Sequence, residues 1–260
     1  MFFRIMRLHY QYQTHSTTSE KTLVFIHGLF GSLSNLGMLA RALQQDYATL
    51  QIDVRNHGLS PHADQHDYDV LAQDILETLD YLNIENFSVI GHSMGGKTAM
   101  RLAAVAPERI EKLVVLDITP IASADYHHNE IFQALIAVEN AQVTTRQQAT
   151  IIMQQYIDEM MVIQFLLKSF HQGQWLFNVA ALKQHYSDIL AWKTQCAWNK
   201  PCLFLRGGNS DYLATPEHFA AVYSQFPAAE IQLIEGAGHW LHGEKPQQVL
   251  SEIQRYLMQK

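Results

Sequence analysis

Cysteine is nearly absent from this 260-residue chain. The two present, Cys196 and Cys202, stand six apart with Pro201 between them. A bridge there would close only a small loop, and the pair reads as two buried, reduced thiols. Long apolar runs are missing as well. No stretch approaches the roughly 20 residues that span a bilayer, so no membrane span is expected. The beginning of the chain carries Arg4 and Arg7 but continues through His, Tyr and Gln without an apolar signal-peptide core, and a cytoplasmic location is expected. Positive charge is in deficit, 18 Lys and Arg against 25 Asp and Glu, and forms no basic block, which argues against a nucleic-acid partner. Internal repeats, low-complexity linkers and a Lys/Arg cluster able to grip a carboxylate or phosphate are all lacking.

What is present is material for one large core. Hydrophobic residues make up 48% and charged residues 17%, in a length that suits one α/β domain with an insertion. One stretch organises the rest. Phe87-Ser88-Val89-Ile90 is a short apolar run that predicts a buried strand, and residues 97–105 are strong helix formers closed by Pro107. Between them lies Gly91-His92-Ser93-Met94-Gly95, the G-x-S-x-G pattern of a nucleophile elbow. The serine of such a turn is held in a strained conformation, with glycines two residues away on either side where a Cβ would collide. The same stretch also spells G-x-x-x-x-G-K-T through Gly91, Gly96, Lys97 and Thr98, a phosphate-binding loop. Leu113-Val114-Val115-Leu116-Asp117 would then resemble the aspartate strand of a nucleotide hydrolase. Local context does not separate the two motifs.

The remaining chain does. Residues 4–13 alternate and suit an antiparallel ribbon at a sheet edge; 15–21 are polar and turn-like. Strands are predicted at 22–26, 48–54, 112–116, 202–205 and 231–234, and helices at 36–43 (with Ser34 or Asn35 as N-cap), 71–82, 218–225 and from Pro246 onward. This alternation predicts a parallel sheet covered on both faces. It breaks at Pro120, after which 121–197 reads as helical throughout and rich in Met and aromatic residues. Ser93, Asp53, Asp117, Asp211 and His239 each follow a predicted strand, where catalytic groups gather in open α/β sheets. Serine, then acid, then histidine is the chain order of α/β hydrolases. The phosphate-loop reading leaves the turn after residue 26 without a role; with it set aside, Lys97 is expected to be an exposed lysine on the elbow helix.

Four motifs occur in the order and approximate spacing of one family: His27-Gly28-Leu29-Phe30-Gly31-Ser32, Asp53-Val54-Arg55-Asn56-His57-Gly58-Leu59-Ser60, Gly91-His92-Ser93-Met94-Gly95-Gly96 and Gly236-Ala237-Gly238-His239. Over nearly its full length the chain resembles the α/β-hydrolase-fold serine hydrolases. With Leu116-Asp117-Ile118-Thr119-Pro120 and Arg206-Gly207-Gly208-Asn209-Ser210 it is most similar to the small bacterial YbfF-type esterases. The resemblance implies a mostly parallel eight-stranded sheet flanked by helices, a core of residues 1–120 and 198–260, and a helical cap, 121–197, inserted after the sixth strand. It implies Ser93 as nucleophile and His239 as base, with His242 a peripheral rival. Most of the family carries the acid after the seventh strand; counted from Gly207 that position is Ser210, and Asp211 is one residue late. The YbfF-type resemblance instead implies Asp117, with Asp211 the alternative. Backbone N–H groups of Leu29 (or Phe30) and Met94 are the expected oxyanion hole, Phe30 and His92 are expected to touch substrate, and His27, Arg55, Asn56 and His57 are expected to tie loops together.

The expected activity is hydrolysis of a small apolar acyl ester or thioester through an acyl-enzyme, with no cofactor and no metal. A cofactor-free lyase or C–C hydrolase on the same scaffold, and a non-catalytic ligand receptor, are the competing readings. Haloalkane dehalogenases and epoxide hydrolases need an aspartate where Ser93 stands.

Overall fold

The computed structural model of the chain describes residues 6–14, 21–123 and 128–259. Among them a seven-stranded sheet runs in the order β1-β3-β2-β4-β5-β8-β9. Its strands are β1 (Tyr10–Gln13), β2 (Thr22–Ile26), β3 (Ala48–Ile52), β4 (Phe87–His92), β5 (Ile110–Leu116), β8 (Cys202–Gly207) and β9 (Ala229–Ile234). Every pairing is parallel except β1 on β3, which places an antiparallel strand at the edge. Among the described residues the main sheet therefore has seven strands rather than eight, and Asp117 follows the fifth strand of the chain. Arg4 and Ile5 of the expected ribbon and all but Lys21 of the expected 15–21 turn lie outside the described residues.

Successive residues of the central strands enter opposite cores, as the two-residue period of a strand demands. Leu23, Phe25, Ile90, Val114, Leu116, Leu203 and Leu205 pack with α1 (Gly37–Leu43) and α11 (Pro246–Met258) on one face. Val24, Ile26, Val89, Leu113, Val115 and Phe204 pack on the other with α2 (Tyr68–Tyr81) and α3 (Met94–Val105). Both faces are covered, so these strands read as nearly continuous apolar runs. The chain reverses direction across the sheet between β2 and β4, and this crossover point opens a crevice at their carboxyl ends.

Residues 121–197 hold α4 (Asn129–Asn140), α5 (Arg146–Met153), α6 (Met160–Leu167), α7 (Val179–Gln184) and α8 (Tyr186–Leu190). They are not helical throughout: β6 (Phe170–His171) and β7 (Gln174–Trp175) form a hairpin. Gln172 at φ 49° and Gly173 at φ 82° give its two-residue turn the left-handed backbone that such hairpins need. Phe132, Leu135, Phe170, Trp175 and Phe177 of this segment join the same apolar cluster as the sheet residues Val24 and Val89. Ser169 Oγ donates to Phe30 O at 3.3 Å and Asn178 N to Asn56 O at 2.9 Å.

Two smaller expectations need correction. Neither Ser34 nor Asn35 caps α1; a 3-10 turn, Leu33–Leu36, precedes it, and Asn35 Oδ1 accepts from Ser32 N instead. The helix α9 (Pro216–Gln225) is capped by Thr215, whose side chain accepts from His218 N. Both cysteines are free, but Cys196 is exposed and only Cys202, the first residue of β8, is buried.

Candidate active site

Ser93 sits between β4 and α3 at φ 54° and ψ −120°, the left-handed strain of a sharp strand-to-helix turn. The turn is possible only with glycine on both sides. A Cβ on Gly91 would stand 2.2 Å from Gly95 O, and one on Gly95 would stand 2.2 Å from Ile26 O. The strain is stabilised by Ser93 N donating to Leu116 O at 3.0 Å and by Lys97 N donating to Ser93 O at 3.0 Å.

His239 lies in the loop after β9, in the same cleft as Ser93. Its Nδ1 donates to Asp117 Oδ2 at 2.7 Å. Asp117, at φ 52° beyond β5, is fully buried. Its Oδ1 accepts from Gly207 N at 2.8 Å, and its Oδ2 also accepts from Ser210 Oγ. The carboxylate is thus surrounded by donors, the condition under which a buried charge is tolerated. Asp211 is exposed. Ser210 therefore occupies the strand-end position that the sequence count marks for an acid, and its hydroxyl binds the carboxylate contributed by Asp117. The His239 ring is held flat against Tyr212, centroids 4.0 Å apart and planes at 21°. His92 Nε2 donates to the His239 backbone carbonyl at 2.8 Å. Burial, with His242 and His239 nearby, keeps the pKa of His92 well below its ordinary value, so His92 is a neutral ring that fixes the loop.

The turn after β2 is built around two more buried, neutral histidines. His27 Nδ1 donates to Gly28 O at 2.8 Å while its Nε2 accepts from Val54 N at 3.2 Å. His57 Nδ1 donates to Arg55 O at 3.0 Å while its Nε2 accepts from Phe30 N at 3.1 Å. Desolvation holds both pKa values down, that of His57 well below the ordinary range. Phe30 N–H is thereby occupied, so it does not offer the free donor that the sequence allowed as an alternative to Leu29. Met94 is the first residue of α3, where a helix does not use the N–H itself. Arg55 is anchored to Asp74 by two bonds, 2.6 and 2.7 Å long, and Asn56 Oδ1 accepts from Ala63 N at 2.8 Å.

The cleft encloses about 1120 Å³ of atom-free space, part of it open to solvent. Leu29, Phe30, His92, Ser93, Met94 and His239 all line it. Much of its wall is apolar: Ile118, Ile131, Val162, Phe165, Leu166, Ile189 and Leu190. Two residues differ from expectation. Lys97 is buried, 3% exposed, and lines the cleft. The chain segment around Ala191 covers it, a contact across 94 residues that no local pattern reveals. His242 is likewise buried in the cleft wall, 4.4 Å from the His92 ring, and burial lowers its pKa to about 3. A one-turn spacing from Ser93 to Lys97 was the available signal for the first; the second carried none. The residues of the alternative phosphate-loop motif are also engaged elsewhere, Lys97 with backbone carbonyls and Asp117 with His239.

A family model described as the alpha/beta hydrolase family matches residues 23–252. The chain is 48% identical over 256 residues to esterase YbfF of Escherichia coli (strain K12), covering 97% of this chain and 99% of that protein. It is 37% identical to the sn-1-specific diacylglycerol lipase ABHD11 of Mus musculus over 247 residues, 90% of this chain and 80% of that one. A solved structure of a marine microorganism esterase superposes with a TM-score of 0.90 at 33% identity, covering 96% of this chain and 99% of its own.

Proposed function

The chain belongs to the alpha/beta hydrolase family and is an esterase-type hydrolase, and on that basis we propose that it cleaves apolar acyl esters through a Ser93–His239–Asp117 triad and an acyl-enzyme. The observation that carries the reading is the 2.7 Å bond from His239 Nδ1 to Asp117, in a cleft shared with Ser93. With its proton on Nδ1, neutral His239 presents a bare Nε2 as acceptor. Ser93 Oγ attacks the acyl carbonyl as Nε2 takes its proton, and the buried carboxylate stabilises the resulting imidazolium. Leu29 and Met94 N–H groups receive the oxyanion; losing one such donor typically costs about a hundred- to a thousandfold in rate. The alcohol leaves with the proton from His239. Water, deprotonated by the same nitrogen, then releases the acid and restores Ser93.

Residues 121–197 act as a cap, with Ile131, Val162, Phe165, Leu166, Ile189 and Leu190 as an apolar wall for the acyl chain. The same chemistry accepts a thioester, whose thiol is the better leaving group. The two free cysteines support a cytoplasmic location. Graded p-nitrophenyl esters and acyl-CoA thioesters test the reading. Ester turnover that Ser93→Ala abolishes, with an acylated Ser93 trapped on the way, is the expected result. Turnover without an acyl-enzyme would point to a lyase or C–C hydrolase in which His239 only abstracts a proton.

A further inference from the structure

Lys97 gives the elbow its second motif, yet no catalytic step uses it. Its backbone N–H is bonded to Ser93 O, one turn back on α3. Its Nζ donates to Leu190 O at 3.2 Å and to Ala191 O at 3.3 Å, the carbonyls at the carboxyl end of α8. Leu190 O accepts from Ser123 N as well, at 2.9 Å. The ammonium lies 5.7 Å from the Tyr68 ring centroid and 5.9 Å from that of Trp192. Among the described residues no carboxylate forms an ion pair with it. Tyr68, on α2, donates its hydroxyl to Ile189 O at 2.6 Å. Three successive carbonyls, 189 to 191, thus receive donors from the sheet-flanking helices, where a helix end leaves carbonyls unpaired and carries partial negative charge.

A buried ammonium costs free energy that a methionine of similar length would not, and burial lowers the Lys97 pKa to about 8. Simple packing does not account for a lysine here; a need for fixed position does. Ile189 and Leu190 line the cleft. The helix that Ser93 precedes as N-cap also holds them through Lys97, so the nucleophile and the anchor of the wall sit on one rigid element, about 6 Å apart along its axis.

We propose that Lys97 is a positioning residue: by holding the carboxyl end of α8 onto the elbow helix, it fixes the Ile189–Leu190 wall relative to Ser93 and sets selectivity for longer acyl chains. The selectivity rests on the esterase reading; the tether does not. A long chain needs the wall for binding, whereas an acetyl group is too short to depend on it, so loss of the tether raises KM for long chains selectively.

The test uses the full chain as Lys97→Met, which keeps the stem, and Tyr68→Phe, which removes only the neighbouring hydroxyl and serves if the first variant does not fold. Amide hydrogen exchange over residues 186–191 and kcat and KM for p-nitrophenyl acetate and octanoate are measured on each. Lys97→Met is expected to speed exchange over 186–191 by about tenfold or more. It is also expected to lower the octanoate-to-acetate ratio of kcat/KM by about five- to tenfold, mainly through the octanoate KM. Tyr68→Phe moves both in the same direction by less. Unchanged exchange over 186–191 in the folded variants overturns the tether. Faster exchange with an unchanged ratio overturns the selectivity. A wild type that cleaves neither ester overturns the esterase reading and the selectivity with it, while exchange still decides the tether.

Discussion

Replacing Asp117 with Asn keeps the size of the side chain but leaves no orientation in which every neighbour is satisfied. His239 N–H and Gly207 N–H approach the two carboxylate oxygens from different sides, at 2.7 and 2.8 Å. Ser210 can turn its hydroxyl to suit either amide atom; the two N–H groups cannot. If the amide NH₂ faces His239, the ring must move its proton to Nε2, and that tautomer cannot take a proton from Ser93. If the NH₂ faces Gly207, a buried N–H is left without an acceptor, at a cost of about 1–3 kcal/mol in stability. In both cases the imidazolium loses its counter-charge. The expected loss is about a thousand- to ten-thousandfold in kcat, or about 4–5 kcal/mol of transition-state stabilisation. Steady-state hydrolysis of a p-nitrophenyl ester measures the first quantity and urea unfolding the second. Asp211→Asn, on an exposed side chain, should stay within about twofold of wild type. An Asp117→Asn enzyme within tenfold of wild type, or a comparable collapse in Asp211→Asn, would move the acid away from Asp117.

Gly95→Ala places a Cβ against the backbone oxygens of Ile26 and His27, at 2.2 and 2.5 Å, and should cost more than about 4 kcal/mol in thermal unfolding. Gly243→Ala, with nothing within 4 Å of its Cβ and a helical position, should be neutral or stabilise by up to about 1 kcal/mol. Asp74→Ala leaves the nearly buried Arg55 unpaired and should destabilise by about 3–5 kcal/mol in a urea titration. Lys97 releases its proton near pH 8 when folded and near 10.5 when unfolded, so the unfolded chain holds the extra proton between those values and stability rises with pH there. Wild-type stability should therefore gain up to about 3 kcal/mol on Lys97→Met from pH 7 to 10.5; a flat difference would contradict a costly buried ammonium.

Much of the architecture was legible because its signals are local. The apolar runs at β2, β3, β4 and β5 and the glycines around Ser93 report what their immediate neighbours need. The alternation before residue 14 likewise marked an antiparallel edge strand. What was not legible depends on contacts made across the fold. The burial of Lys97 is created by α8, and that of His242 by packing against His92. Ser210 could be counted to a strand end, but its bond to Asp117 depends on β5 and β8 lying side by side. The hairpin at 170–175 was missed because two-residue strands have no period to detect, and Gly173 alone was its only mark. Asp117 over Asp211 came from resemblance; periodicity and spacing left both open.

Intact-protein mass spectrometry after treatment with a fluorophosphonate tests the serine mechanism itself. One phosphonyl adduct is expected, located by peptide mapping on Ser93, absent from Ser93→Ala and much slower to form in Asp117→Asn. An unmodified wild-type mass, or an adduct that persists in Ser93→Ala, would contradict Ser93 as the nucleophile.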